Sequence, residues 1–299
     1  MKIKLLHNKD IDLLRWDAII LGASNSRVYA ESWYLDIIHP DWMGIIYGDY
    51  EYIMPVVVSR KWGISYLYQP TYAQQHGIFP TATPKTTIEF LEFLQQSFSY
   101  FNISLNALNV DVAHRYHVEV RKNYILSLLP SLEDIQQGYN SHTKRYVKKA
   151  IKACHVSKHV NTAEYLQLKK EFGQKGLKSK NLAKLKLIML KAMEQNRGVI
   201  YGAYSSHNEL IAAAFFIVEQ KRITYLNSVS GSEAKSARAM YAIVHQFITE
   251  HATQNYLLDF EGSNIEGIAR FFEGFGAQPE TYQHVLYNQL PWFLKLFKK

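Results

Sequence analysis

The chain carries one cysteine, Cys154, in 299 residues. That excludes an internal disulfide and any cysteine-based metal cluster, and it suits a reducing compartment. No apolar run reaches the roughly 18 residues that a membrane-spanning helix needs. The start, MKIKLLHNKD, lacks the apolar core of a signal peptide. A cytoplasmic protein is the expectation. There is no heptad run and no simple repeat. No Ser-His-Asp or Cys-His spacing stands out, so covalent catalysis finds no support. His155 and His159 would sit one helical turn apart, but no carboxylate or third histidine lies at a matching distance, and no metal is expected.

What is present argues for two mixed α/β domains. The length suits two domains, and 47 % apolar residues are ample for two cores. Tyrosine is abundant, at 21 residues; it can line a polar cleft, but most are expected to be half-buried strand residues. The net charge of +8 is uneven. Between Ser141 and Arg197, 15 basic residues face three acids; the rest of the chain holds 19 basic and 23 acidic residues. Within that block Lys144, Lys148 and Lys152 fall on one helix side, with Arg145 and Lys149 beside them. Such a block is either a solvated lysine-rich helix pair or a surface for an anion: tRNA, coenzyme A phosphates or a membrane face. The tail LPWFLKLFKK mixes aromatic and basic residues, and either docks on the protein's own core or makes weak contact with a membrane surface.

Periodicity predicts an opening strand, helices over Ile11–Leu21 and near Ser32, and a β-rich run from Trp42 to Ile78. A helix over Thr86–Phe101 and a short strand near Ile103 follow. Strand Tyr124–Leu129 then leads through Pro130 to a short acidic helix and the basic helix. The predicted boundary is near Pro130, giving domains 1–130 and 131–299. In the second, YSSHNEL reads as a hairpin with His207 and Asn208 in the turn. From Arg222 to Gly276 the order is strand (RITYLNSVS), glycine-containing turn, helix, strand (YLLDF), small polar turn, helix. A strand that enters a helix through a glycine turn gathers unpaired N–H groups and the positive end of a helix dipole, which is the geometry that holds a pyrophosphate. Asp259 and Glu261 stand at the C-terminal end of a buried strand, where ligands gather in open sheets. Either accepts a proton through water, or Asp259 caps a helix or holds a turn. Asn264 is a good N-cap. In the first half Tyr72, Gln74, Gln75 and His76 form a polar, aromatic knot, read as the acceptor side of a cleft or as a self-bonded loop.

Three segments carry a resemblance: Leu258 to Asn264 with Ala269 to Ala277, Tyr52-Ile53-Met54-Pro55 leading to Tyr72–Ile78, and the basic run His142 to Ala150. Together they resemble the FemAB-like branch of the GNAT acyltransferase superfamily, over nearly the whole chain. The resemblance implies two tandem GNAT-like domains, each a mixed central sheet flanked by helices, with a cleft between them. It implies transfer of an acyl or aminoacyl group to an amine, from an acyl-CoA such as acetyl-CoA or from a charged tRNA. It further implies donor contacts at Ser230, Gly231, Ser232, Lys235, Arg238 and Asn264, and acceptor contacts at Tyr72, Gln74, Gln75, His76, Lys144 and Arg145. Two departures favour the acyl-CoA form. The turn has one glycine where the family's pyrophosphate loop has two close together, and Phe272 stands where peptidoglycan-acting members tend to carry lysine. The alternatives are a tRNA-dependent aminoacyltransferase on a cell-wall precursor or lipid, and a binding protein that kept the fold without turnover.

Overall fold

The computed structural model describes residues 3–109, 112, 116–173, 178–262 and 265–292. Contacts divide the chain into two compact units, Met1–Arg121 with Thr281–Lys299, and Lys122–Glu280. The first half of the chain runs β1 (Ile3–His7), α1 (Leu13–Gly22), α2 (Ser32–Ile38), β2 (Met43–Tyr47), β3 (Tyr52–Val56), β4 (Val58–Lys61), β5 (Ile64–Tyr68), α3 (Pro84–Ser97), β6 (Tyr100–Ser104) and β7 (His117–Ser127). Next come α4 (Leu132–Gln137), α5 (Ser141–Ala153), β8 (His155–Ser157), α6 (Thr162–Phe172), α7 (Ser179–Glu194), β9 (Gly198–Tyr204), β10 (Leu210–Val218) and β11 (Arg222–Ser230). The chain closes with α8 (Ala234–Ala237), α9 (Ala239–His251), β12 (Leu257–Asp259), α10 (Glu266–Glu273) and β13 (Gln278–Asn288).

In the first unit β1, β2 and β3 form an antiparallel sheet, and β4-β5-β6-β13 form a mixed one in which β5 and β6 run parallel. Helix α3 connects that parallel pair. Thr83 caps it by accepting from the Thr86 N–H, Pro84 opens it, and Phe90, Leu91 and Leu94 bury one stripe against Leu67, Phe101 and Val285. The helix stops at Ser97, short of the Phe101 expected from the apolar run. Phe98 turns extended, and Phe101 pairs with Tyr287 of β13. A partner from the far end of the chain decides that boundary.

In the second unit the strand order is β7-β12-β11-β10-β9-β8. Strands β9, β10 and β11 make an antiparallel meander, and the hairpin between β9 and β10 turns with Asn208 at φ 61°. Helix α9 packs on this sheet, its Phe247 stacked on Phe216 at 3.9 Å between ring centres. Helix α5 buries Thr143, Val147 and Ala150, an i, i+4, i+7 stripe, and leaves Lys144, Arg145, Lys148 and Lys149 exposed. The units differ from domains 1–130 and 131–299 in two strands. β7 ends in the second unit, paired to β12, and β13 closes the first unit's sheet against β6. Which unit each strand joins is set by its pairing partner, which local sequence signals do not show.

Among the described residues no helix is long and apolar enough to cross a membrane. Trp292 is exposed, and the remainder of the tail read as a membrane contact, residues 293–299, lies outside the described residues.

Candidate functional site

The parallel pairing of β11 with β12 covers three residue pairs and ends at Thr224 opposite Asp259, whereas β11 runs on to Ser230. Past Asp259 the chain bends through Glu261 at φ 60° and Gly262 at φ 66°. Gly262 is required there, because a Cβ would lie 2.2 Å from the Lys122 carbonyl oxygen. The end of β11 is therefore left without a parallel neighbour. A cavity of about 560 Å³ occupies this place. Strand β11 contributes Tyr225, Ser228 and Ser230 to its lining. Strict alternation would point Tyr225 and Ser228 to opposite faces of the sheet. A register shift in the ladder, where Phe215 faces Asn227 and Phe216 faces Tyr225, absorbs Leu226 and brings both to the cavity.

Helix α10 adds Ile268, Phe271 and Phe272, and α9 adds Met240 and Tyr241. Phe272 is buried and stacks on Phe260 at 4.7 Å, forming an aromatic floor. The cations come from the α8–α9 junction, where Lys235 and Arg238 line the cavity. Arg238 is left-handed (φ 60°, ψ 32°), ending α8 and opening α9, and no side chain caps α9. That conformation costs about 1–2 kcal/mol for a residue with a Cβ, and it aims the guanidinium across the Tyr146 ring at 4.1 Å. Its Nε is buried without a hydrogen-bond partner. Tyr146 of α5 meets Tyr241 at 5.2 Å, and Arg145 lies 5.2 Å from the Tyr146 ring. The basic helix thus adjoins the cavity wall. Burial raises the pKa of Tyr225, and of Tyr241 together with neighbouring Tyr146, so both phenols stay neutral at ordinary pH.

The predicted donor turn is split. Ser230, Lys235 and Arg238 line this cavity. Gly231 and Ser232 line a second one of about 470 Å³ beside Glu164, Glu171, Glu209 and Glu233. The Gly231 N–H is committed to the Ile211 carbonyl at 2.8 Å. Lys144 points away, its Nζ donating to the Gln137 carbonyl at 3.4 Å. Asn264 lies outside the described residues. Asp259 is buried, with one oxygen held by Arg222 and the other accepting the Glu261 N–H at 2.8 Å. Neither Asp259 nor Glu261 is in the cavity lining. His155 stacks on Tyr204, and among the described residues no three metal-ligating side chains gather.

In the first unit the knot is tied to α2, to the end of β6 and to the segment after it. Gln75 donates to Gln74 and accepts from the Ala107 N–H, the His76 N–H donates to the Ser104 carbonyl, and the Tyr72 carbonyl accepts from the Tyr34 hydroxyl. Burial lowers the His76 pKa to about 4, and burial with the nearby Arg121 cation does the same for His284. Both therefore stay neutral when folded and protonate when unfolded. Their contribution is complete above the ordinary value of 6.5 and is lost as pH falls toward about 4. Unfolding free energy is expected to fall by about 1.4 kcal/mol per pH unit per histidine across that window. Denaturant titrations should show the slope reduced in His76→Gln; an unchanged slope would mean that His76 titrates freely.

Sequence reading missed Lys169. Its Nζ donates to the carbonyl of cavity-lining Ser228 at 2.7 Å, and burial brings its pKa down to about 8. One more lysine in a lysine-rich run carries no signal of burial. The bulge that turns Tyr225 inward was equally invisible.

No family model matches the chain, and no curated protein matches it. Solved structures do. The crystal structure of FemX superposes with a TM-score of 0.67 at 11% identity, covering 99% of each chain. A conserved protein of unknown function from Bacteroides thetaiotaomicron gives 0.61 at 11% identity, over 95% of this chain and 99% of that one. A tandem GNAT protein from the clavulanic acid biosynthesis pathway gives 0.56 at 10% identity, over 95% and 97%. At such identities the likeness is one of fold, and the fold of this chain is the tandem GNAT fold.

Proposed function

We propose that the chain is an N-acyltransferase that moves an acyl group from a coenzyme A thioester to a small or cell-envelope amine. The observation that supports this most is the union, in one cavity, of Lys235, Arg238 and the uncapped start of α9 with an aromatic lining. Coenzyme A has the matching polarity, with phosphates at one end and a thioester arm at the other. In this reading the amine nitrogen attacks the thioester carbonyl carbon, the C–N bond forms, the C–S bond breaks, and the departing thiolate takes up a proton. The proton released by the amine passes to water. Asp259, bound on both oxygens, holds the strand end, and Lys169 fixes the carbonyl of Ser228. The cavity's task is alignment and charge placement.

A second reading, transfer from a charged tRNA, draws support from the exposed cations of α5 beside the cavity wall. Melting of the full chain with acetyl-CoA, longer acyl-CoAs, free coenzyme A and bulk tRNA separates the two. A ligand at about 100 times its Kd stabilises by about 2.7 kcal/mol, a rise of several degrees. The expected result is a shift with the thioesters and with free coenzyme A. A shift with tRNA alone, abolished by moderate salt, would move the reading to aminoacyl transfer. No shift with any of them would sink both.

A further inference from the structure

The first unit's mixed sheet has a core face and a polar face. On β6, Phe101 and Ile103 enter the core, and Tyr100, Asn102 and Ser104 alternate to the other side. On β13, Val285 enters the core, and His284 stands opposite Ser104. Tyr68 of β5 pairs with Asn102. This polar face borders a cavity of about 350 Å³ lined by Tyr68, Gln69, Tyr100, Asn102, Arg121 and His284, all within the first unit.

Two polar atoms of the cavity's lining side chains are not satisfied from within. Nε of Arg121 and Oδ1 of Asn102 are both buried without a hydrogen-bond partner, a costly state that calls for an explanation. The rest of each side chain is anchored. Arg121 donates from Nη2 to Glu119 at 2.8 Å, and Asn102 donates from Nδ2 toward the Tyr100 hydroxyl at 3.5 Å. His284 bonds Ser104 through Nδ1 at 3.0 Å, which leaves Nε2 as the ring's other nitrogen. Gln69 is spent on its own surroundings, donating to the Ala73 carbonyl and accepting from the Ser104 N–H.

We propose that this cavity binds a small carboxylate that carries an amino or hydroxyl group on the adjacent carbon. The Nε–Nη2 edge of a guanidinium takes a carboxylate through two parallel bonds. Glu119 occupies the Nη2 half of that edge from a half-exposed position, where an ion pair is weakly held. A ligand carboxylate completes the Nε half. The neighbouring amine or hydroxyl supplies the donor that Oδ1 of Asn102 lacks. Tyr66, Tyr68 and Tyr100, in contact at 6.1 and 6.2 Å between ring centres, form an aromatic group along this face. The site is independent of the acyl-transfer reading.

Calorimetric titration of the full chain with lactate, alanine, acetate and lactamide tests it. Lactate or alanine is expected to bind, acetate about tenfold more weakly, and lactamide not at all. Arg121→Gln should weaken binding about tenfold or more, whereas Glu119→Gln, which removes a competing carboxylate, should tighten it about threefold. The His284 ring protons should shift in NMR spectra as the ligand saturates. Equal binding to wild type and Arg121→Gln, or no heat and no His284 shift with any of the four compounds, overturns the proposal. Acetate binding as tightly as lactate overturns the role given to Asn102.

Discussion

Replacing Asp259 by alanine is expected to destabilise the protein by about 3 kcal/mol, and replacing Arg222 by methionine by up to about 5 kcal/mol. The pair is buried, with 13% of the Arg222 side chain and 1% of the Asp259 side chain exposed. Removing one member strands the other charge where water cannot solvate it. The two losses differ because Arg222 keeps a second carboxylate, Glu280, at 3.5 Å, whereas among the described residues no other cation pairs with Asp259. The Glu261 N–H would also lose its acceptor, loosening the turn that ends β12. The double change Arg222→Met with Asp259→Leu should recover most of the loss, since a well-packed apolar pair often matches a buried ion pair. Urea unfolding of the wild type, Arg222→Met, Asp259→Leu and the double variant closes the cycle. A loss below about 1 kcal/mol in Asp259→Ala would show that the carboxylate is not holding the fold, and would return it to the list of proton acceptors.

Charge reversal at the helix junction should have the largest effect on ligand binding. Lys235→Glu with Arg238→Glu is expected to weaken coenzyme A binding about 100-fold or more, since each charge-assisted phosphate contact is worth about 1.5–3 kcal/mol. The unliganded protein should lose about 1 kcal/mol or less, chiefly the Arg238–Tyr146 contact. Gly231→Val is an instructive comparison. The Gly231 N–H already serves the sheet, and a Cβ there would stand 3.1 Å from the Ile211 carbonyl oxygen, so the change acts by straining the end of the β10–β11 ladder. Titration calorimetry distinguishes the two. Unchanged affinity in the Lys235/Arg238 variant would place the phosphates elsewhere and remove the main support for a coenzyme A donor.

Local pattern was a good guide wherever neighbours in sequence are neighbours in space. Strand β11 matches the run read from Arg222 to Ser230, and the β9–β10 hairpin turns at Asn208 as its residues demand. The basic block and its amphipathic helix followed from spacing alone, because a helix face is set by a period of 3.6 residues. The mixed α/β class and the strand–turn–helix that carries Lys235 and Arg238 were legible for the same reason.

Only the tertiary structure decided where those residues face and what they touch. Whether a backbone N–H is free depends on a partner strand, and Ile211 claims that of Gly231. Whether a carboxylate is open to a ligand depends on its neighbours, and Arg222, 37 residues away, claims Asp259. One absorbed residue at Leu226 sets which side chains enter the cavity, and pairing between β6 and β13 ends a helix that local periodicity would have continued. Secondary structure is a local balance of propensity and burial, written every few residues. A site is made by hydrogen bonds and charges brought together across the chain, and those partners have no local signature.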